Sequence, residues 1–187
     1  MLYLASSSSS RAKLLKNLDF EFKQVQTNYD ESSPLECEKP ENFAQRIVLQ
    51  KEKQFLEHFL PKEFDENKDK LLFADSIVSL EKDILTKAKD DDEALEMLHL
   101  QSGKEISIIS AMILSSSSKR LFSVSKTSLL LDKFEKKDIQ SYIKSKEYQG
   151  KAGCVMCEGF HKKYIKKMTG DLNTALGLDT KTLKAYL

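Results

Sequence analysis

Met1-Leu2-Tyr3-Leu4-Ala5-Ser6-Ser7-Ser8-Ser9-Ser10-Arg11-Ala12-Lys13-Leu14-Leu15 opens the chain, and its reading decides the architecture. The apolar lead-in Met1 to Leu4 predicts a first strand, and the five serines predict a polar turn. Leu14, Leu15 and Leu18 then have the i, i+1, i+4 spacing of a helix. A strand, a tight turn and a helix start bring free backbone N–H groups and the positive end of a helix dipole together. Serine hydroxyls, Arg11 and Lys13 can add donors there, which makes a ready anion site. The same serines also suit a flexible tail or a set of alternative N-caps.

Working outward, Phe20 to Val25 alternates like a strand and runs into a polar stretch from Asn28 to Pro34, followed by a loop to about Pro40. Phe43, Ile47, Val48, Phe55 and Phe59 keep helical spacing, with Glu41 or Asn42 near the cap and Pro61 beyond the end. Leu71 to Ala74 is a short apolar run of the kind that fills a buried strand, and it continues past Asp75 into Ile77-Val78. Three aspartates open a helix over Asp90 to Leu100. Ile106 to Ile109, Met112 to Leu114 and Leu121 to Leu131 predict three strands, with Ser115 to Ser118 at a hairpin tip. A helix is expected over Lys136 to Ser145, strands near Val155 and around Tyr164-Ile165, and a last helix from about Thr180. Alternating strands and helices point to an α/β or α+β domain, and the 187 residues suit one domain spanning 1–187.

Composition excludes several classes. Hydrophobic residues make up 40% of the chain, with only 6 Gly and 3 Pro, which fits a globular protein rather than a disordered one. Lys and Arg total 30 against 29 Asp and Glu, so bulk charge encodes no attraction to nucleic acid or to an anionic membrane. Any anion binding must come from a local cluster. No stretch approaches the ~18 apolar residues of a membrane span. No basic segment leads into a long apolar core at the start, and the three cysteines cannot all pair within the chain. A cytoplasmic location is the expectation.

Isolated polar residues carry the chemistry. Asp75 interrupts a buried run, where a carboxylate is costly unless a cation, a metal or hydrogen-bond donors compensate it. At a strand's carboxyl end it would stand where α/β enzymes place their ligands. Lys87 alone reads as a solvated lysine. Cys154-Val155-Met156-Cys157 is a lone C-x-x-C whose sulfurs would point to opposite faces of a strand, which argues against a zinc or redox site. His58, His99 and His161 are scattered with no ligand spacing. The basic run His161 to Lys167 reads as the solvated edge of a strand, with Tyr164 and Ile165 turned inward.

In order and spacing these segments resemble the Maf family of nucleoside triphosphate pyrophosphatases, nearly end to end. Leu4 to Arg11 is similar to the family's opening L-A-S-x-S-P-R-R, Asp30-Glu31-Ser32 to its D-E-S, and Lys51 to its K-A helix. Ala74-Asp75-Ser76 resembles A-D-T, and Leu85 to Ala88 lies where the family has L-G-K-P. Leu98 to Gly103 fits L-x-x-L-S-G, and Lys126-Thr127 corresponds to a further element. Lys151-Ala152-Gly153 with Glu158-Gly159 resembles K-A-G-x-Y-x-I-Q-G. Gly170 and Gly177-Leu178 match the closing segment.

The resemblance implies a two-lobed α/β fold akin to the inosine triphosphatases, with a central mixed sheet and an active-site cleft between the lobes. It implies cleavage of a nucleoside triphosphate between the α and β phosphates. On that basis Asp75 is the general base. Ser6, Ser8, Arg11, Lys51, Lys87 and Lys151 bind the substrate, and Glu31 and Asp75 hold a divalent cation, Mg²⁺ or Mn²⁺. Ser10, Ser76 and Glu158 stand where the family distinguishes nucleobases, in place of Arg, Thr and Gln. Cys157-Glu158-Gly159 is similar to the C-E-G of the 7-methyl-GTP branch, but Ser10 is not that branch's tryptophan. The base stays open, with a modified purine favoured. A homodimer is also implied, with neither nucleic acid nor membrane as partner. The alternative is a nucleotide-binding regulator of cell division and septum formation that turns over little.

Overall fold

The computed structural model describes residues 1–187. Its elements run β1 (Leu2–Ala5), α1 (Ser9–Lys16), β2 (Phe22–Val25), α2 (Pro40–His58), β3 (Lys70–Leu80), β4 (Asp83–Leu85), α3 (Asp91–Gln101), β5 (Glu105–Ser115), β6 (Arg120–Leu131), α4 (Lys136–Ser145), β7 (Ile165–Thr169), α5 (Leu172–Ala175) and α6 (Thr180–Tyr186), with a 3₁₀ segment at Phe160–Tyr164 before β7. One seven-stranded mixed sheet orders them β2-β1-β3-β5-β6-β7, with β4 also pairing β3. β1 is parallel to β2 and β3; the remaining ladders are antiparallel.

The opening stretch folds as a strand, a turn and a helix, with Ser8 as the N-cap accepting from the Arg11 amide. α2 starts two to three residues earlier than a cap at Glu41 or Asn42 would place it. Lys39 is the cap and Pro40 the first helical residue, where its fixed φ is preorganised and its missing N–H costs nothing. Asp90 caps α3 by accepting from Glu93 N, while Glu93 reaches back to Lys89 N.

Strands β3 and β5 carry the logic of the core. On one face of the sheet, Leu71, Phe73 and Ile77 of β3 and Ile109, Ala111 and Ile113 of β5 pack under α2. On the other face, alternation lines up Leu72 and Ala74 with Met112 and Leu114. It then lines up Val78 and Leu80 with Ile106 and Ile108. Between those two apolar groups Ser76 of β3 sits opposite Ser110 of β5, which sits opposite Ser125 of β6. The row is satisfied internally: the Ser76 and Ser110 hydroxyls are 2.7 Å apart, Ser110 donates to Thr174 O, and Thr174 donates to Ser125 Oγ. This polar seam divides that face into two lobes.

Four expectations are corrected. Ile106–Ile109 and Met112–Leu114 are one strand, because Ser110 pairs across the sheet instead of breaking it. The segment around Val155 is not a strand: Gly153 and Cys154 have φ of 55° and 58°, which winds it into consecutive turns. Cys154 and Cys157 therefore do not alternate on a pleat, and both are buried free thiols. Burial pushes their pKa values up to about 11 and about 12. His161 does not lie in a solvated basic edge but is fully buried in the 3₁₀ segment. Asp75 lies mid-strand, not at the carboxyl end of β3. It is instead just past the carboxyl end of its parallel neighbour β1, whose pairing stops at Leu4–Leu72. The short elements β4 and α5 carry too few residues to show a period.

Candidate active site

Adjacent residues of a strand point to opposite faces, so β3 sends Asp75 toward α2 and Ser76 toward α1. On the α2 side, Lys51 is only 7% exposed. Its Nζ lies 2.5 Å from Asp75 Oδ1 and 2.8 Å from Glu31 Oε1. Glu31, in the loop after β2, accepts through its other oxygen from Lys87 Nζ at 2.7 Å. Lys87 follows β4 and is tied to the turn carrying Lys151 by a bridge to Ala152, with Gly153 N donating to Thr86 O. The result is an alternating chain of charge, Asp75–Lys51–Glu31–Lys87, reaching across the cleft. Tyr29 closes its base: Lys51 Nζ stands 5.5 Å from the ring centre and the phenol donates to Ala5 O.

These contacts set the electrostatics. Burial pushes the Glu31 carboxyl up, but Lys51 and Lys87 outweigh it and hold the group below its ordinary value. Burial raises the Tyr29 phenol to about 12. Asp75 Oδ2 makes no protein hydrogen bond, and no buried polar side-chain atom in the molecule lacks one, so Oδ2 is open to the cleft.

On the α1 side, Arg11 is 8% exposed and clamped by its neighbours. Nε donates to Gly177 O, Nη1 to Ser6 Oγ and Nη2 to Ser76 Oγ. Burial lowers its pKa, opposed by the charges of Asp75 and Glu31. A guanidinium stays protonated under such conditions. Gln24 on β2 donates to Ser6 O and Ser8 O, and Ser7 exchanges hydrogen bonds with the backbone of Thr27. The serine turn is thus pinned on both sides and is no flexible tail. Across the cleft mouth Ser10 Oγ donates to Glu158 Oε1 at 3.3 Å.

The cavity these groups enclose is about 540 Å³. A family model described as Maf-like protein matches residues 1–187 of the chain. The chain belongs to the Maf family. Among its relatives, a nucleoside triphosphate pyrophosphatase of Campylobacter jejuni is 52% identical, covering 100% of both chains. Proteins of the same name from a Nitratiruptor species and Helicobacter pylori are 37% and 36% identical. The first covers 98% of this chain and 96% of its own, the second 100% and 94%.

All eleven positions singled out through the Maf motifs line this one cavity: Ser6, Ser8, Ser10, Arg11, Glu31, Lys51, Asp75, Ser76, Lys87, Lys151 and Glu158. Two of them carry structural duties as well. Ser8 caps α1, and Ser76 is committed to Arg11 and Ser110. Sequence reasoning missed Ser7, Gln24, Tyr29 and Thr174, which hold the cleft walls. Their signal, polar groups bonded to backbone across the sheet, exists only once the strands are aligned.

Glu31 and Asp75 converge on one point, the Lys51 ammonium, and no group of three or more metal-ligating side chains exists. Two carboxylates in a cleft also lined by Arg11, Lys51, Lys87 and Lys151 fit a hard divalent cation that takes its remaining ligands from water or a bound anion. They do not suit an all-protein cage.

Proposed function

We propose that this protein hydrolyses a nucleoside triphosphate between its α and β phosphates, yielding a monophosphate and pyrophosphate. Its role would be to remove noncanonical or modified nucleotides before they are incorporated. The observation that carries this reading is the buried Asp75–Lys51 pair, extended outward through the partly exposed Glu31 to Lys87. It holds two ammonium groups in position by carboxylates that phosphate oxygens can replace. The nucleoside triphosphate pyrophosphatases that this chain resembles over nearly their full length support the same chemistry.

Arg11, Lys51, Lys87 and Lys151 bind the triphosphate, and the capped start of α1 with Ser6 and Ser8 adds donors to it. As phosphate oxygens take over Lys51 and Lys87, the Glu31 carboxylate is released. Glu31 and Asp75 would then hold the divalent cation, which supplies neutralisation of phosphate charge. Asp75 Oδ2 accepts the proton of the attacking water, and the lysines match the charge growing on the departing pyrophosphate. At the far end Glu158 can accept two neighbouring N–H donors, the pattern of a guanine edge. Ser10 leaves room beside it. Ser76 influences base choice by the space it leaves where a threonine would add a methyl.

Pyrophosphate release, followed with Mg²⁺ or Mn²⁺ across dTTP, UTP, CTP, GTP, 7-methyl-GTP and inosine triphosphate, tests the reading. Turnover should be selective and abolished by EDTA. Asp75→Asn should lose about 10²–10⁴-fold in kcat while still folding, since Lys51 keeps Glu31 as a partner. Undiminished turnover in that variant would remove Asp75 from the chemistry. Nucleotide binding without release from any substrate would favour the regulatory alternative, and orthophosphate as the direct product would mean a phosphatase acting at a terminal phosphate instead of between α and β.

A further inference from the structure

His161 takes no part in the reaction proposed above, yet it is completely buried and both ring nitrogens are used. Met156 N donates to Nδ1 at 3.1 Å, so the proton resides on Nε2, which donates to Gln101 Oε1 at 3.1 Å. Gln101, itself fully buried at the end of α3, passes the connection on by donating to Gly153 O at 2.6 Å. The His161 amide returns to Met156 O. Phe134 and Phe160 pack edge-on against the imidazole, with ring centres 5.5 and 5.0 Å away. His161 and Gln101 thus grip the two ends of the turn 153–156 between them, from which the chain continues directly to Glu158.

The two ends are not equally dependent on His161. The Gly153 end has its own anchors. It is hydrogen-bonded to Thr86 and packs so closely on β3 and β4 that a Cβ would stand 3.0 Å from Val78 and 3.2 Å from Leu85. Lys87 and Lys151 are therefore held without His161. The Met156–Glu158 end makes no hydrogen bond to the sheet; Cys157 is packed into the core there, but the polar groups on either side of it are not held by a strand. Met156 N reaches His161, and Glu158 is met only by Ser10 at the opposite lip.

Resting on the reading of this cavity as a nucleotide site, we infer that His161 is the positioning residue of the nucleobase wall. It holds Met156 to Glu158 in place for base recognition while leaving the phosphate end untouched. An imidazole fits this task because it offers one acceptor and one donor in a rigid ring, where an apolar side chain offers neither. Burial keeps it neutral, with its pKa lowered to about 3, so the arrangement of acceptor and donor persists across the working pH range.

The test compares the pyrophosphate-release panel for wild type, His161→Leu and His161→Gln. Leucine removes both hydrogen bonds at similar size, whereas glutamine keeps an acceptor and a donor. His161→Leu should raise KM for the preferred nucleotide about tenfold and compress its preference over other bases by a similar factor. Its kcat should stay within about threefold, because supporting-shell changes act through misplacement of the groups they hold. His161→Gln should recover much of the selectivity. If His161→Leu does not fold, Gln101→Met, which keeps the Met156 N–Nδ1 bond but removes the contacts to Nε2 and to Gly153 O, should show the same KM-led pattern more weakly. Unchanged selectivity and KM in a folded His161→Leu, or in Gln101→Met, would overturn the inference while the hydrolase stands. So would a loss confined to kcat. A wild type inactive on every nucleotide would overturn the cavity's reading and this inference together.

Discussion

Two titrating residues act on stability in separate pH windows. Glu31 is held below its ordinary pKa in the folded protein, so its contribution is present above about pH 4.5, the unfolded value, and is lost as pH falls through the folded value. Its side chain is about one-third exposed, so solvent screens part of the effect. His161 is depressed from 6.5 to about 3 and stays neutral when folded. The unfolded chain therefore binds the extra proton, and stability falls as pH drops from about 6.5 toward 3. Melting temperatures recorded from pH 7.5 to 3.5 should show this division. His161→Gln should flatten the slope between pH 6.5 and 4.5. The gap between wild type and Glu31→Gln should persist through that interval and close only below about pH 4. A Glu31→Gln gap that opened as pH fell would contradict the ion-pair account. In the sequence, Asp75 was legible as a compensated carboxylate because an acid inside Leu71 to Val78 needs a partner. That the partner is Lys51, shared with Glu31, needed the fold.

Among the elements, legibility followed length and pattern. α3 has a side-chain cap and α3 and α4 both have periodic apolar faces, and both lie within one residue of where the sequence puts them. β5 divided in the reading because Ser110 and Ala111 look like a break, and only its cross-strand neighbours reveal a continuous ladder. The chain between α4 and β7 was the least legible, since positive φ at two successive residues has no hydrophobic signature. The turn after β7 shows how tightly such joints are built. Gly170 has φ of 118°, and a Cβ there would come within 2.6 Å of Thr127 Oγ1 and 2.7 Å of Lys126 O. Thr127 meanwhile donates to Asp171 O and accepts from Asp171 N. Gly170→Ala should therefore cost roughly 1–3 kcal/mol in urea unfolding. A midpoint equal to wild type would mean that the joint relaxes freely.

Across the whole molecule, the cleft gathers residues from Ser6 to Gly177 because β3 and β5 run through both lobes. Motif order in the sequence could indicate that these residues belong together, but not that one strand sends Asp75 and Ser76 to different faces. The shared strands and the α2-covered face, which packs residues from Tyr3 to Ile113, make a single cooperative unit the expected behaviour. Calorimetry of the unliganded protein should give one transition with matching calorimetric and van't Hoff enthalpies. Two resolved peaks would divide the chain into two domains at the seam. The row Ser76–Ser110–Ser125 also has a mechanical meaning. A hydroxyl can rotate to keep a partner where a methyl must forfeit its contact, so along that row the two lobes are joined by contacts that can reorient. Beneath each lobe the sheet is held by the fit of apolar shapes, and at the three serines by the direction of bonding.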